Sequence, residues 1–500
     1  MNNYTLIKNN QTIPIENIPV LKYDDFLLLN TSFLNSESHH CVNYYGYLVQ
    51  NHIKLICCIA DDSNSTILIS SCEIKKDATK YPSFSAKHLA FHVFERELHE
   101  NFGINYTDHP WLKPLRFPFD RANKKLQIKD YPFYQIHSEE LHEVGVGPIH
   151  AGIIEPGHFR FICNGEQILH LEIQNGFTHR GVETLFLNKK KLLQRTILAE
   201  SIAGDTVVGH STAFVNLWES LCGYEADEDL QFARTLALEL ERIAVHTGDL
   251  SGICTDIAYQ LGSSVFGRLR TPIINFFQIW CGNRLAKGLI RVGNNHFPFS
   301  KDLAQQLEKI FQDFESDYTE MYTELKELPS ALSRLEKTGE VTREQSASIG
   351  TVGMVAKTSG IIRDIRATHP YNLYSQMNHQ PIIKKHGDVY SRVQIRNEEI
   401  KQSIAHIRKL LENIPAENKN NKPLNEPQKN SFALSLVEGW RGEICHCAIT
   451  DDEGELQHYK IKDPSMHNWL ALALAVRNNE ISDFPICNKS FNLSYCGNDL

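Results

Sequence analysis

Near the start of the chain, Tyr44–Val49, Lys54–Ile59 and Thr66–Cys72 are runs of β-branched and aromatic residues, and they predict strands. From Ser85 to Asn101 the spacing becomes helical, with Ser83 and Ser85 as candidate N-caps and Gly103 just past the end. This predicts a small α/β domain over residues 1–118. Pro118, Pro132 and the charged run Arg121 to Lys129 predict a connector over 119–143. Phe159–Cys163 and Gln167–Ile173 predict a hairpin around Asn164-Gly165. From Leu185 to Glu340 apolar residues recur at three- and four-residue spacing, and Leu192–Trp218, Glu228–Thr247 and Leu303–Leu328 predict long helices. Residues 415–430 are polar and proline-containing, which predicts a mobile surface loop. Strand-like Phe432–Glu438 and Ile444–Thr450 then flank Gly439-Trp440-Arg441-Gly442. The fold class is α+β, with residues 144–500 as a mainly helical domain carrying short β segments.

Composition narrows the function. The chain has 500 residues, enough for two or three domains, and a formal charge of -9. A mildly acidic chain lacks the basic face that meets phosphate, so no nucleic acid is expected as a partner. No signal-peptide pattern opens the sequence, and no apolar run approaches the roughly 20 residues that cross a bilayer. Membrane contact is therefore expected only through partners. The twelve cysteines form no C-x-x-C pair, and each is read first as a small buried hydrophobe in a reducing compartment. No G-x-G-x-x-G follows a strand, so nothing suggests a nicotinamide site.

Motif-like residues are densest at Gly147-Pro148-Ile149-His150-Ala151-Gly152, Glu155-Pro156-Gly157-His158-Phe159 and His179-Arg180-Gly181-Val182-Glu183. Gly and Pro permit sharp turns, and His and Glu suit proton transfer. These motifs resemble the opening of the large subunit of membrane-bound nickel–iron hydrogenases and of the related quinone-site subunit of respiratory complex I. Ser359–Arg366, His369-Pro370-Tyr371, Gly387–Tyr390, Val437–Glu443, Asp463–Trp469 and Asn488–Leu500 continue the resemblance in order. Glu95–Ile104 with His109-Pro110 resembles the small peripheral-arm subunit of complex I, here fused at the N-terminus.

The resemblance also implies what is missing. Nickel–iron hydrogenases hold their metals with an early and a late C-x-x-C pair, because soft thiolates suit these metals. Here the early pair falls on Ala203 and Thr206 and the late pair on Leu493 and Cys496, so a nickel–iron centre is not expected. Cys496 is the remnant ligand position. The complex I histidine that binds the quinone headgroup falls on Ile154, and its tyrosine partner on or near Gly204. Glu155, His158, His210 and Arg441 are the implied catalytic residues, and His150, Asp205 and Thr206 the implied lining of a quinone-type pocket. Glu183 and Asp499 fall at positions that help hold a magnesium ion, which accepts oxygen ligands. Ala203, Thr206 and His210, at i, i+3 and i+7, are expected on one helix face. Glu155, His158, Glu183, His210 and Arg441 are expected to converge on one polar pocket, with Ala203, Thr206, Leu493 and Cys496 on its wall.

The resemblance implies a large peripheral subunit of a complex I-like or hydrogenase-related oxidoreductase at the cytoplasmic face of the cell membrane. It would take part in electron and proton transfer coupled to ion movement. Its expected partners are an iron–sulfur small subunit, a ferredoxin-like subunit and membrane-arm subunits, and the iron–sulfur clusters would lie in those partners. The alternatives are a non-catalytic scaffold and, against the lost cysteines, a true hydrogenase.

Overall fold

A computed structural model describes residues 3–76, 80–152, 154–416 and 423–500. Antiparallel strands His39–Val49, His52–Asp61, Thr66–Lys75 and Thr5–Ile7 form the first sheet, with Val20–Leu21 added in parallel. Its strands do not alternate apolar with polar residues because both faces are buried. Tyr44, Leu55, Cys57 and Ile59 face a local core containing Phe26, Phe84, Phe91 and Phe94. Tyr45, Ile56, Cys58 and Ile69 face the main core of the molecule. The expected helix is shorter than its pattern: it runs His92–Phe102 behind a 3-10 turn, and Gly103 ends it at φ 75°.

The first residues also serve the other end of the chain. Thr12–Pro14 is an edge strand on Ser431–Glu438, which pairs with Glu443–Thr450 and then Leu456–Lys462. A third sheet holds Gln167–Gln174, His158–Asn164 and His142–Val146, so a strand begins inside the stretch expected as connector. The hairpin turns on Gly165-Glu166, because Asn164 is still paired, to Gln167.

Helices Val207–Leu221, Glu228–Asp256, Gln260–Cys281, Lys301–Glu327 and Val389–Leu411 form the bundle. The segment expected as one helix over Leu192–Trp218 is two, Leu192–Ala199 and Val207–Leu221. Residues 200–206 between them include Gly204, whose exposed backbone tolerates a turn. The polar run 415–430 lies partly outside the described residues, and its end, 423–430, is irregular. Among the described residues no helix is long and apolar enough to cross a membrane.

Candidate functional site

The break at 200–206 shapes the site. Ala203 and Thr206 precede the helix, and Thr206 is its N-cap, so the expected helix face shared with His210 does not exist. Both are buried. The C-terminal segment meets this turn through two arginines. Arg180 Nη2 donates to the Ile202 carbonyl at 2.8 Å and the Cys496 carbonyl at 3.3 Å. Arg441 binds Asp205 through both terminal nitrogens, at 2.7 and 2.5 Å, and Thr206 Oγ1 at 3.0 Å. Arg441 Nε donates to the Asn492 carbonyl. Guanidinium groups thus bridge the two former cysteine pairs, early loop to late segment.

Arg441 is placed by its turn. Its guanidinium lies 4.0 Å over the Trp440 ring, and Trp440 Nε1 donates to the Asp205 carbonyl. Buried Arg242 donates to the carbonyls of Glu438 and Gly439. A Cβ on Gly353 would stand 2.1 Å from the Arg441 carbonyl, so only glycine lets the chains meet there. Burial opposes the charge of Arg441, yet Asp205 outweighs it and holds the group above its usual range.

Glu155 reaches the same segment. Its Oε2 accepts from the Cys496 amide at 3.0 Å. Burial pushes the Cys496 thiol up to about 12, and Glu155 adds to the shift. His150 Nε2 is 3.4 Å from Tyr495 Oη. Gly157 permits this approach, since a Cβ there would stand 2.4 Å from the Tyr495 ring.

His210 lies deeper. Its Nε2 is 3.1 Å from Asp463 Oδ2 and its Nδ1 is 3.1 Å from His446 Nε2. His446 Nδ1 is 2.8 Å from Tyr459 Oη. Sequence reasoning missed His446 and Tyr459, and read Asp463 only as part of a motif. The available signal was the alternation of Glu443–Thr450, which puts His446 opposite Cys445 and Cys447. It also missed Glu241, which accepts from the amides of Val208 and Gly209 at the start of the His210 helix. Burial raises the Glu241 carboxyl to about 8.

Three expected members stand apart. His158 turns toward the Phe133 ring, 5.2 Å away, and its Nε2 has no hydrogen-bond partner. Glu183 accepts from the Ile461 amide and pairs with Lys460 at 3.1 Å. Asp499 accepts from Gly176 N, Thr178 N and Thr178 Oγ1. Glu183 and Asp499 are therefore held by different partners. Among the described residues no three His, Cys, Asp or Glu side chains are grouped so as to hold a metal ion. The residues at the cysteine positions do not fit a nickel–iron centre. Nor does the quinone pair: Ile154 is 47% exposed and Gly204 has no side chain. A cleft of about 770 Å³ is lined by Glu183, Arg180 and Tyr459, but not by Glu155, His158, His210 or Arg441. The described contacts join Glu155, Arg441 and Asp205 to the C-terminal segment, and His158 and Glu183 lie outside them.

Known proteins match this architecture in two parts. The family described as respiratory-chain NADH dehydrogenase, 30 Kd subunit matches residues 26–134, and that described as its 49 Kd subunit matches residues 256–436. Hydrogenase-4 component G of Escherichia coli (strain K12) is 26% identical over 448 residues, covering 85% of this chain and 77% of that protein. Formate hydrogenlyase subunit 5 of the same organism is 27% identical, covering 85% and 78%. The C/D subunit of the NADH-quinone oxidoreductase of Phocaeicola vulgatus is 27% identical, covering 85% and 88%. The chain is a fused relative of the 30 and 49 Kd subunits of respiratory-chain NADH dehydrogenase and is similar to components of hydrogenase complexes.

Proposed function

We propose that the chain is the large peripheral subunit of a membrane-associated, complex I-like or hydrogenase-related oxidoreductase, and that it handles protons for a redox reaction coupled to ion movement. Residues 1–118 and 144–500 are its two modules and 119–143 the join. Electrons travel through iron–sulfur clusters of partner subunits, including a ferredoxin-like one, and membrane-arm subunits hold the complex at the cytoplasmic face. No step is assigned to nickel or to a quinone on this chain, because the side chains at those positions do not fit them.

One observation carries the reading. The polar shell that surrounds the metals in the resembled enzymes persists where the metal ligands do not: Glu155 still binds the Cys496 segment, and Arg441 still binds Asp205 and Thr206. A carboxylate on a backbone amide and a guanidinium on a carboxylate are groups that take up and hold protons and negative charge. Glu155 is the proton carrier, and Arg441 is the positioning residue that fixes Asp205.

The test is Glu155→Gln in the assembled complex. Turnover with reduced methyl viologen as donor should fall at least about a hundredfold, a typical contribution of a proton-transferring side chain, while the complex stays intact on gel filtration. The second reading, a scaffold that docks the iron–sulfur subunit onto the membrane arm, is favoured by the closure of Asp205 onto Arg441 and by the separation of the 770 Å³ cleft from Glu155. Unchanged turnover in Glu155→Gln would select it.

A further inference from the structure

We infer that Tyr459, His446, His210 and Asp463 form a directional proton relay between the 770 Å³ cleft and the turn that carries Cys496. The inference deepens the proposed function and rests on its reading of the Cys496 neighbourhood as a proton-handling site.

With both imidazole rings uncharged, the hydrogen bonds set one direction. The Asp463 carboxylate can only accept; Oδ1 takes the Ser465 amide at 2.8 Å and Oδ2 faces His210 Nε2 at 3.1 Å. His210 must then carry hydrogen on Nε2, which leaves Nδ1 as the acceptor in a neutral ring. His446 must donate from Nε2 across the 3.1 Å contact, and its Nδ1 accepts the Tyr459 hydroxyl at 2.8 Å. In this state each ring donates from Nε2 and accepts at Nδ1, and every donor points toward Asp463. Burial, with His210 beside it, keeps His446 uncharged, and burial keeps the Tyr459 phenol protonated.

The ends of the relay are placed. Tyr459 lines the cleft and stacks on Phe186, with ring centroids 4.2 Å apart. Asp463 lies against the C-terminal turn: a Cβ on Gly497, next to Cys496, would be 2.6 Å from Asp463 Oδ2. The step balances. Tyr459 is 0% exposed, so the proton must reach its oxygen through the cleft wall; its arrival lets the phenolic proton pass to His446 Nδ1. The His446 Nε2 proton passes to His210 Nδ1, and the His210 Nε2 proton passes to Asp463 Oδ2. One proton enters, one is held at Asp463, and no electron moves.

The full chain labelled with 15N-histidine tests this without partners or turnover, by NMR of the imidazole nitrogens and by deuteration of their N–H groups. The expected result is hydrogen on Nε2 of both rings, exchanging at least about tenfold faster than the backbone amides of Glu443–Thr450, which exchange only when the sheet opens. In Tyr459→Phe the ring exchange should slow about tenfold while those amides keep their rates, which also reports that the variant is folded. Ring hydrogens that exchange at the amide rate in the unaltered chain, or a hydrogen on His446 Nδ1, would overturn the relay. Unchanged turnover in Glu155→Gln sinks the wider reading, whereas only the exchange result decides the relay.

Discussion

Arg441 joins two distant parts of the chain through one side chain. It is 4% exposed and ties Asp205 and Thr206 to Asn492, so the early turn and the late segment are joined without a metal. Arg441→Leu would strand the Asp205 carboxylate and the Asn492 carbonyl. Breaking a fully buried pair costs about 3–5 kcal/mol, but the Asp205 side chain is 38% exposed, so a loss of about 2 kcal/mol is expected. Urea denaturation of the purified chain measures it, and an unshifted midpoint would show that the bridge contributes nothing. Arg441, Asp205 and Glu155 were legible in the sequence because they sit in motifs with marked turns. His446 and Tyr459 were not, because a polar residue on a fully buried strand reads as an interruption until its neighbour across the sheet is known.

At the scale of elements, the long central strands were legible, whereas the start of the His92–Phe102 helix, the break at 200–206 and the strand His142–Val146 were not. Runs such as Lys54–Ile59 lack polar alternation because two cores meet across the sheet, and that continuity marks a strand as clearly as alternation does. The break at 200–206 was hidden because Leu192–Trp218 keeps a helical spacing across the turn. The sheets meet at a histidine: His40 Nε2 is 2.6 Å from Glu443 Oε2 and its Nδ1 is 3.2 Å from Asp62 Oδ2. Burial and Arg363 oppose its charge, but Asp62 and Glu443 outweigh them, so the His40 pKa is raised. A raised histidine stabilises the fold fully below its unfolded value of about 6.5, and the contribution fades as pH rises through the folded value. The stability difference between the unaltered chain and His40→Asn should therefore be largest near pH 6 and shrink toward pH 9, measured by urea denaturation across that range. A difference that stays constant with pH would mean His40 is not charged.

The whole molecule is interlocked at both ends. Thr12–Pro14 completes the C-terminal sheet, and the last residues are held by Arg116, Thr178, Arg180, Glu155 and Arg441 from widely separated parts of the chain. None of these contacts needs a thiolate. This whole-molecule arrangement was legible only as an order of motifs, since long-range pairing of residue 13 with residue 432 leaves no local mark. On the proposed reading the complex works without nickel. Nickel per chain in the intact, turning-over complex checks this, by elemental analysis on the same preparation that is assayed. Full turnover is expected with nickel below about one atom per ten chains, because one remaining thiol cannot hold the metal pair. About one nickel per chain, or turnover that rises and falls with nickel content, would contradict it.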